Sequence, residues 1–332
     1  MTTLALESSC DDTCAAVLGD DGTLLANVIS SQEIHDAYGG VVPEIASRYH
    51  LEAATLVVDD ALRRAGATLD DVDLVAVTQG PGLVGALLVG IATAKGLAAA
   101  RGLPLAPVDH LQAHVAANFL ATEDGSGIEP PFVCLIASGG HSFLARVDDH
   151  ASFTVLGRTL DDAAGEAFDK GARLLGLGYP GGPALSKLAL DGDPQAFPFP
   201  TGAKVQGLDS SFAGLKTALL YATRDLGPEA TTARAADLAA SYEHAIVEAL
   251  MVRVVRGIEQ TGLECVAIGG GVAANRLLRE RIGALGVEVH VPPSALCTDN
   301  AAMIGSAARW VDAVPFPGYL DLDAYATRRS VA

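Results

Sequence analysis

Twice along this chain of 332 residues a short apolar run ends in a tight polar turn and returns as a second apolar run. Residues 4–6 pass through Glu7-Ser-Ser-Cys-Asp-Asp-Thr13 into 14–18, and residues 132–137 pass through Ser138-Gly-Gly-His141 into 142–147. Segments this short satisfy their backbones only by pairing, so each reads as an antiparallel pair of strands. Further strands are expected at 24–29, 73–78, 105–108, 265–268 and 287–291. Helical patterns fall at 51–62, 82–101, 211–223, 232–261, 272–284 and 299–311. Alternating strands and helices predict an α/β protein. The two matching openings predict two similar lobes with a cleft between their first turns, although the repeat lies in architecture and not in sequence.

Charge constrains the partners. The chain has 40 acidic and 22 basic side chains, a net charge of -18, while half its residues are hydrophobic. That apolar content excludes a disordered acidic protein. The acidity argues against broad, nonspecific binding to nucleic acid or anionic membrane. It is uneven, however. The first 150 residues have 20 acids and 6 bases, a net of -14, and the rest have 20 and 16, a net of -4. Arg158, Lys170, Arg173, Lys187, Lys204 and Lys216 lie in that second half, where phosphate contacts could gather.

Five cysteines form no disulfide framework and no paired CxxC site, so reduced thiols and a cytoplasmic location are expected. The first residues lack the basic region of a signal peptide. Residues 83–100 are apolar enough to draw a membrane reading. With Lys95 inside and Gly and Ala throughout, they read instead as a buried helix, and no membrane is expected.

Several motifs carry chemistry. His110-Leu-Gln-Ala-His114 puts two imidazoles on one helical face, where both can reach one metal. Leu111 stands where a metallopeptidase needs its glutamate, which removes that reaction's base. Asp299, in Cys297-Thr-Asp-Asn, is the best candidate to complete the set. Its alternative, shared with Thr298, is a helix N-cap. Two imidazoles and a carboxylate leave coordination positions open and suit Fe(II) or Zn(II). The glycines of Ser138-Gly139-Gly140-His141 expose amides to an anion or carbonyl oxygen. His141 reads as a third ligand, a base or a hydrogen-bonded structural residue. Gly269-Gly-Gly-Val-Ala-Ala-Asn275 offers glycines for close approach and an amide for a base or ribose. Asp161 to Lys170 opens an acid-rich helix, and Tyr179-Pro-Gly-Gly182-Pro is a rigid turn. Asp11 and Asp12 fill the first turn as catalytic acids or as an Asx-turn. Gly80-Pro-Gly-Leu-Val-Gly85 fits GxGxxG but lacks the later acid of a dinucleotide site, so close helix–strand packing is the alternative.

Together these stretches resemble the TsaD/Kae/Gcp family of tRNA adenosine threonylcarbamoyltransferases. The likeness also includes Tyr38-Gly-Gly-Val-Val-Pro-Glu-Ile-Ala-Ser-Arg48 and Asp209-Ser-Ser-Phe-Ala-Gly-Leu-Lys216. The motifs run in family order over nearly the whole chain, in the bacterial form. The resemblance implies the two-lobed actin/Hsp70/sugar-kinase (ASKHA) fold of two RNase H-like domains. Residues 1–125 with 297–332 would form the N-terminal lobe and 126–296 the C-terminal lobe. It implies one divalent metal, iron first and zinc second, on His110, His114 and Asp299. It implies contacts to threonylcarbamoyl-adenylate from Ile136, Ala137, Ser138, Gly139, Gly140, Asp169, Gly182 and Asn275. Transfer of the threonylcarbamoyl group to N6 of the adenosine 3′ to the anticodon would release AMP, with Asp11 assisting amine deprotonation. TsaB-like and TsaE-like proteins would be partners alongside tRNA. The family commonly has Asp-Glu where this chain has Asp11-Asp12, so the second acid is one methylene shorter here. A sugar kinase, a metal-dependent peptidase and a non-enzymatic scaffold are the competing readings.

Overall fold

A computed structural model describes residues 1–121 and 127–327. The lobe boundary expected at 125/126, the 123–126 part of the linker and the last five residues lie outside the described residues. The chain forms two compact units. The first comprises Met1–Glu129, His150–Ser152 and Asp299–Ala332, and the second Pro130–Asp149 and Phe153–Thr298.

In the first unit the elements are β1 (Thr3–Glu7), β2 (Asp12–Leu18), β3 (Leu24–Ser31), α1 (Pro43–Ala65), β4 (Leu74–Gly80), α2 (Val84–Arg101), β5 (Leu105–Asp109) and α3 (His110–Ala116). The second contains β6 (Phe132–Ala137), β7 (Ser142–Val147), β8 (Thr154–Arg158), α4 (Ala164–Leu174), α5 (Gly181–Ala189), α6 (Ala213–Leu226), α7 (Pro228–Ala233), α8 (Ala235–Thr261), β9 (Cys265–Gly269), α9 (Arg276–Gly283), β10 (Glu288–His290) and α10 (Ser294–Cys297). The chain then re-enters the first unit with α11 (Ala301–Ala308).

Both sheets have the same topology. In the first the order is β3-β2-β1-β4-β5, with an antiparallel meander β1-β2-β3 and parallel β4 and β5 on the other side of β1. The second repeats it as β8-β7-β6-β9-β10, with β6 in the place of β1. Parallel neighbours need crossover helices, which explains the helical stretch before each of them.

In the first unit Leu4, Leu6, Ala15 and Val17 share a core with Val57, Val58 and Ala61 of α1 and Ile91 and Ala94 of α2. Alternation along the strand turns Leu18 to the opposite face, where Gly305 of α11 lies against it so closely that a Cβ would overlap the leucine. The apolar helix α2 buries a stripe of Ala86, Leu87, Gly90, Ile91, Ala94 and Ala98. It is long and apolar enough to cross a membrane by length and composition; one third of it is buried, and Ile91, Ala94 and Ala98 of the stripe belong to the unit's core. Each buried Leu or Ile there contributes about 1.5–3 kcal/mol.

Some sequence expectations shift. Helix α1 begins at Pro43, eight residues before the expected 51, because Pro43 sits in its first turn and Gly66 closes it in the left-handed conformation. The expected helix 272–284 is a single 3-10 turn, Gly271–Ala274, followed by α9, and Asn275 caps the junction. The expected 232–261 helix is likewise divided between α7 and α8 at Arg234.

Candidate functional site

β1 ends in a buried acid. Glu7 Oε2 accepts from the Thr78 hydroxyl at 2.6 Å and from His110 Nδ1 at 3.0 Å, while Oε1 accepts from the Ser9 amide. His110 is the first residue of α3 and His114 lies one turn further on, both buried. Asp109 caps that helix, its Oδ1 accepting from the Leu111 and Gln112 amides at 2.9 and 3.0 Å. The third group arrives from the far end of the chain. Asn300, not Thr298 or Asp299, is the N-cap of α11, its Oδ1 accepting from Met303 N at 3.0 Å. The Ser306 hydroxyl then donates to Ala116 O at 2.7 Å, tying α11 to α3.

These elements bring His110, His114 and Asp299 together. Asp299 Oδ1 lies 3.2 Å from His114 Nε2 and 3.7 Å from His110 Nε2, and one ligand atom from each residue lies within 4.8 Å of the others. The 3.2 Å approach is off the hydrogen-bonding direction, since neither His114 nitrogen has a hydrogen-bond partner among the described residues. A buried nitrogen left so costs about 1–3 kcal/mol. A metal answers that cost. Ligand atoms about 2.1 Å from one ion stand roughly 3.0–3.5 Å apart, close to the 3.2 and 3.7 Å from Asp299 to the two imidazoles, while the full 4.8 Å span of the three would have to contract on binding. The donor set therefore fits a divalent metal ion.

Glu7 had no role in the sequence reading. Its signal was a lone acid closing an otherwise apolar strand. It fixes the proton on His110 Nδ1 and turns Nε2 toward Asp299, the usual support of a ligating imidazole. Burial opposes the charge on Glu7, but the His110 imidazolium and the His110 and Thr78 hydrogen bonds hold its carboxyl below the usual range. Burial likewise opposes charging His110, yet Glu7 and Asp299 outweigh it and push the imidazole up to about 9 in the metal-free protein.

Asp11 occupies the β1–β2 turn, half-buried, with its carbonyl accepting from Gln32 N at 3.2 Å. Asp12 begins β2. Burial, with Asp299 and Asp11 nearby, pushes its carboxyl up to about 7, against a hydrogen bond from Ser31. The GxGxxG stretch takes its packing role. A Cβ on Gly82 would stand 2.6 Å from Ser9 O, and one on Gly90 would overlap the Ser8 hydroxyl.

The second unit brings together a different group. Ser138 N donates to His141 O at 2.7 Å and Ser138 O accepts from Gly165 N at 3.0 Å, so this serine's backbone is spent closing the turn. Gly139 and Gly140 are exposed, with open space where a side chain would point. They are the turn's accessible backbone. Ile136 and Ala137 have their side chains in the core and their backbone in the ladder. Gly270, at φ +83°, packs directly on Ala137 O, where any side chain would collide. Asp169 and Gly182 meet at one point: Asp169 Oδ1 accepts from Gly181 N at 2.8 Å, at the start of α5. Burial raises the Asp169 carboxyl, and the Gly181 and Gly182 amides offset part of that.

Asn275 is heavily engaged. Its Oδ1 caps α9 through Leu278 N at 2.9 Å, and its Nδ2 donates to Ser186 Oγ at 2.9 Å and to Glu243 Oε1 at 2.7 Å. Lys170 pairs with Asp162 at 2.7 Å and Glu166 at 2.8 Å, which removes it from the bases open to phosphate. His141 belongs to this second unit, whereas the three metal-ligand candidates all belong to the first.

The chain matches the family described as TsaD, tRNA N6-adenosine threonylcarbamoyltransferase, over residues 23–306. It is 50% identical over 311 residues to a protein of that name from Clostridium perfringens (strain SM101 / Type A), covering 92% of this chain and 91% of the relative. Among solved structures it is similar to HypF of T. kodakarensis, with a TM-score of 0.61, 16% identity and coverage of 92% and 47%. Component A of (R)-2-hydroxyglutaryl-CoA dehydratase from Acidaminococcus fermentans gives 0.55, 15% identity and 94% and 97%. These two likenesses establish the fold, the two-lobed α/β architecture of the ASKHA type.

Proposed function

The chain belongs to the TsaD family of tRNA N6-adenosine threonylcarbamoyltransferases, and from that premise we propose how its residues divide the work. The reaction makes t6A: a threonylcarbamoyl group is joined to N6 of an adenosine in tRNA. The donor is threonylcarbamoyl-adenylate, the acceptor is the adenosine 3′ to the anticodon, and AMP leaves as the amine attacks the carbamoyl carbon. Direct transfer suffices: the Ser9 hydroxyl lies 3.3 Å from His110 Nδ1, but Ser9 is buried and Glu7 Oε2 already engages that nitrogen at 3.0 Å, so the pair does not make an accessible activated nucleophile.

His110, His114 and Asp299 hold one divalent metal, iron first and zinc second. The observation that carries this reading is His114, buried with both ring nitrogens lacking a hydrogen bond among the described residues and one of them facing Asp299. A metal bound there supplies Lewis-acid stabilisation of charge developing on donor oxygens. Glu7 holds the Nδ1 proton of His110 and so presents the other nitrogen. Asp11 accepts the proton from the attacking amine. In the second unit the Gly139 and Gly140 amides bind donor phosphate or carbonyl oxygen, the Ser138 turn sets their direction, and Ile136 and Ala137 contribute through the strand end that carries it. Asp169, Gly182 and Asn275 complete the donor contacts. Asn275 does so by exchanging one of its present hydrogen bonds.

A net charge of -18 repels tRNA, so TsaB-like and TsaE-like partners supply basic surface, and the enzyme works in the cytoplasm. The test is reconstitution. The protein, candidate partners, threonylcarbamoyl-adenylate and unmodified tRNA together yield the modified nucleoside; no product from the complete mixture overturns the reading.

A further inference from the structure

The last described residues close over the first unit. After the short 3-10 helix Gly318–Asp321, with Tyr319 fully buried, the chain lies along α2 and the ends of β4 and β5. Lys95 Nζ donates to Leu320 O at 2.8 Å and Leu322 O at 2.7 Å. Gln79 Nε2 donates to Asp323 O at 2.9 Å, and Tyr325 N returns a bond to Gln79 O at 3.3 Å. This strap lies beyond residues 23–306, the span of the family match.

Its end reaches the helix that bears both histidines. Tyr325 Oη donates to Asp109 Oδ2 at 2.8 Å, while Oδ1 of the same carboxylate caps Leu111 and Gln112. With both oxygens engaged the carboxylate cannot rotate, and the first turn of α3 is set against the strap. His110 is the first residue of that turn and His114 the first of the next, so a change in the cap moves both imidazoles together. The carbonyl and ring of Tyr325 both lie on Gly80, where a Cβ would overlap the carbonyl oxygen and stand 2.8 Å from Cδ2 and 2.9 Å from Cε2. That accounts for the first glycine of the Gly80-Pro-Gly stretch without a nucleotide.

We infer that Tyr325 is a positioning residue for the His110–His114 pair, acting through Asp109. The inference rests on the metal reading of the triad. Ligand atoms must converge to within a few tenths of an ångström, which the hydroxyl's removal relaxes although the ring stays in place. Loss of such outer support weakens metal binding by about tenfold or more.

The test uses the full chain, stripped of metal and titrated with Zn2+ against a chromogenic chelator. Tyr325→Phe should bind zinc about tenfold more weakly than the parent. Gly80→Ala, which keeps the hydroxyl but pushes the strap away at both the Tyr325 carbonyl and its ring, should weaken it likewise. Parent-like affinity in both variants overturns the inference. A parent chain that takes up no zinc would refute the metal reading instead. Amide exchange in the metal-free protein then still tests the strap: Leu111 and Gln112 should exchange about fivefold faster in Tyr325→Phe, the worth of one net hydrogen bond. Unchanged exchange overturns it.

Discussion

At the end of β1 the first unit turns through Glu7 and Ser9 and meets two buried histidines. At the end of β6 the second unit turns through Ser138, Gly139 and Gly140 into solvent. The strands occupy the same place in two sheets of identical order. One corner offers side chains, held by a buried acid and a capped helix. The other offers backbone, held by a closed turn and by the helix start at Gly165. The difference matches what the proposed function asks each corner to hold. A metal needs directed nitrogen and oxygen ligands fixed in advance, and burial fixes them. A phosphate or carbonyl oxygen needs amides and room, which bare glycine provides.

The largest expected effect breaks the first corner alone. His110→Ala with His114→Ala should abolish metal uptake and slow t6A formation by at least about 100-fold. Binding of donor by the second unit, measured by calorimetry, should persist. Next comes Glu7→Gln, which keeps the shape but removes the charge that orients His110. Metal affinity should fall about 10–100-fold in a chelator competition, and a parent-like value would assign Glu7 to structure only.

Gly140→Val sharpens the comparison from the other side. The position is exposed and open, so melting temperature and metal affinity should stay unchanged. KM for the donor should rise about tenfold, since one anion contact is worth roughly 1.5–3 kcal/mol. An unchanged KM would remove this turn from the donor site.

The smallest effect concerns pH. Asp12 titrates near 4 when unfolded and at about 7 when folded, because burial raises it. Between those values the native state holds a proton that the unfolded chain has released, so stability falls as pH rises through the window. In the metal-free protein Asp12→Asn should therefore be more stable than the parent by of order 1 kcal/mol at about pH 8, and no more stable near pH 4. Thermal melts at the two values decide it.

Much of this was legible in the sequence, for a physical reason. His110 and His114 stand out because two imidazoles four residues apart share one helical face, Asp299 joins them as the best candidate to complete the set and through the family resemblance, and the paired hairpins state the repeated sheet. What stayed hidden depended on partners distant in sequence. Glu7 looks like one acid in a turn until Thr78 and His110 arrive beside it. Thr298 and Asp299 look like the caps of the last helix until Asn300 takes Met303 N. β8 escaped because three of its five residues are exposed and it lacks an apolar run. α5 escaped because it begins Gly-Gly-Pro, a turn signal that Asp169 converts into a helix start by accepting from Gly181 N. Asn275 was read as an open ligand amide, and only the fold reveals that Ser186, Glu243 and Leu278 already claim it.

The most direct test removes the metal and watches the chemistry. Protein stripped by chelation, then combined with partner proteins, donor and unmodified tRNA, should form t6A at least about 100-fold more slowly than untreated enzyme. One equivalent of ferrous iron or zinc should restore the rate in the parent but not in the double histidine variant. A stripped enzyme that works at the full rate would contradict the metal centre of the first unit.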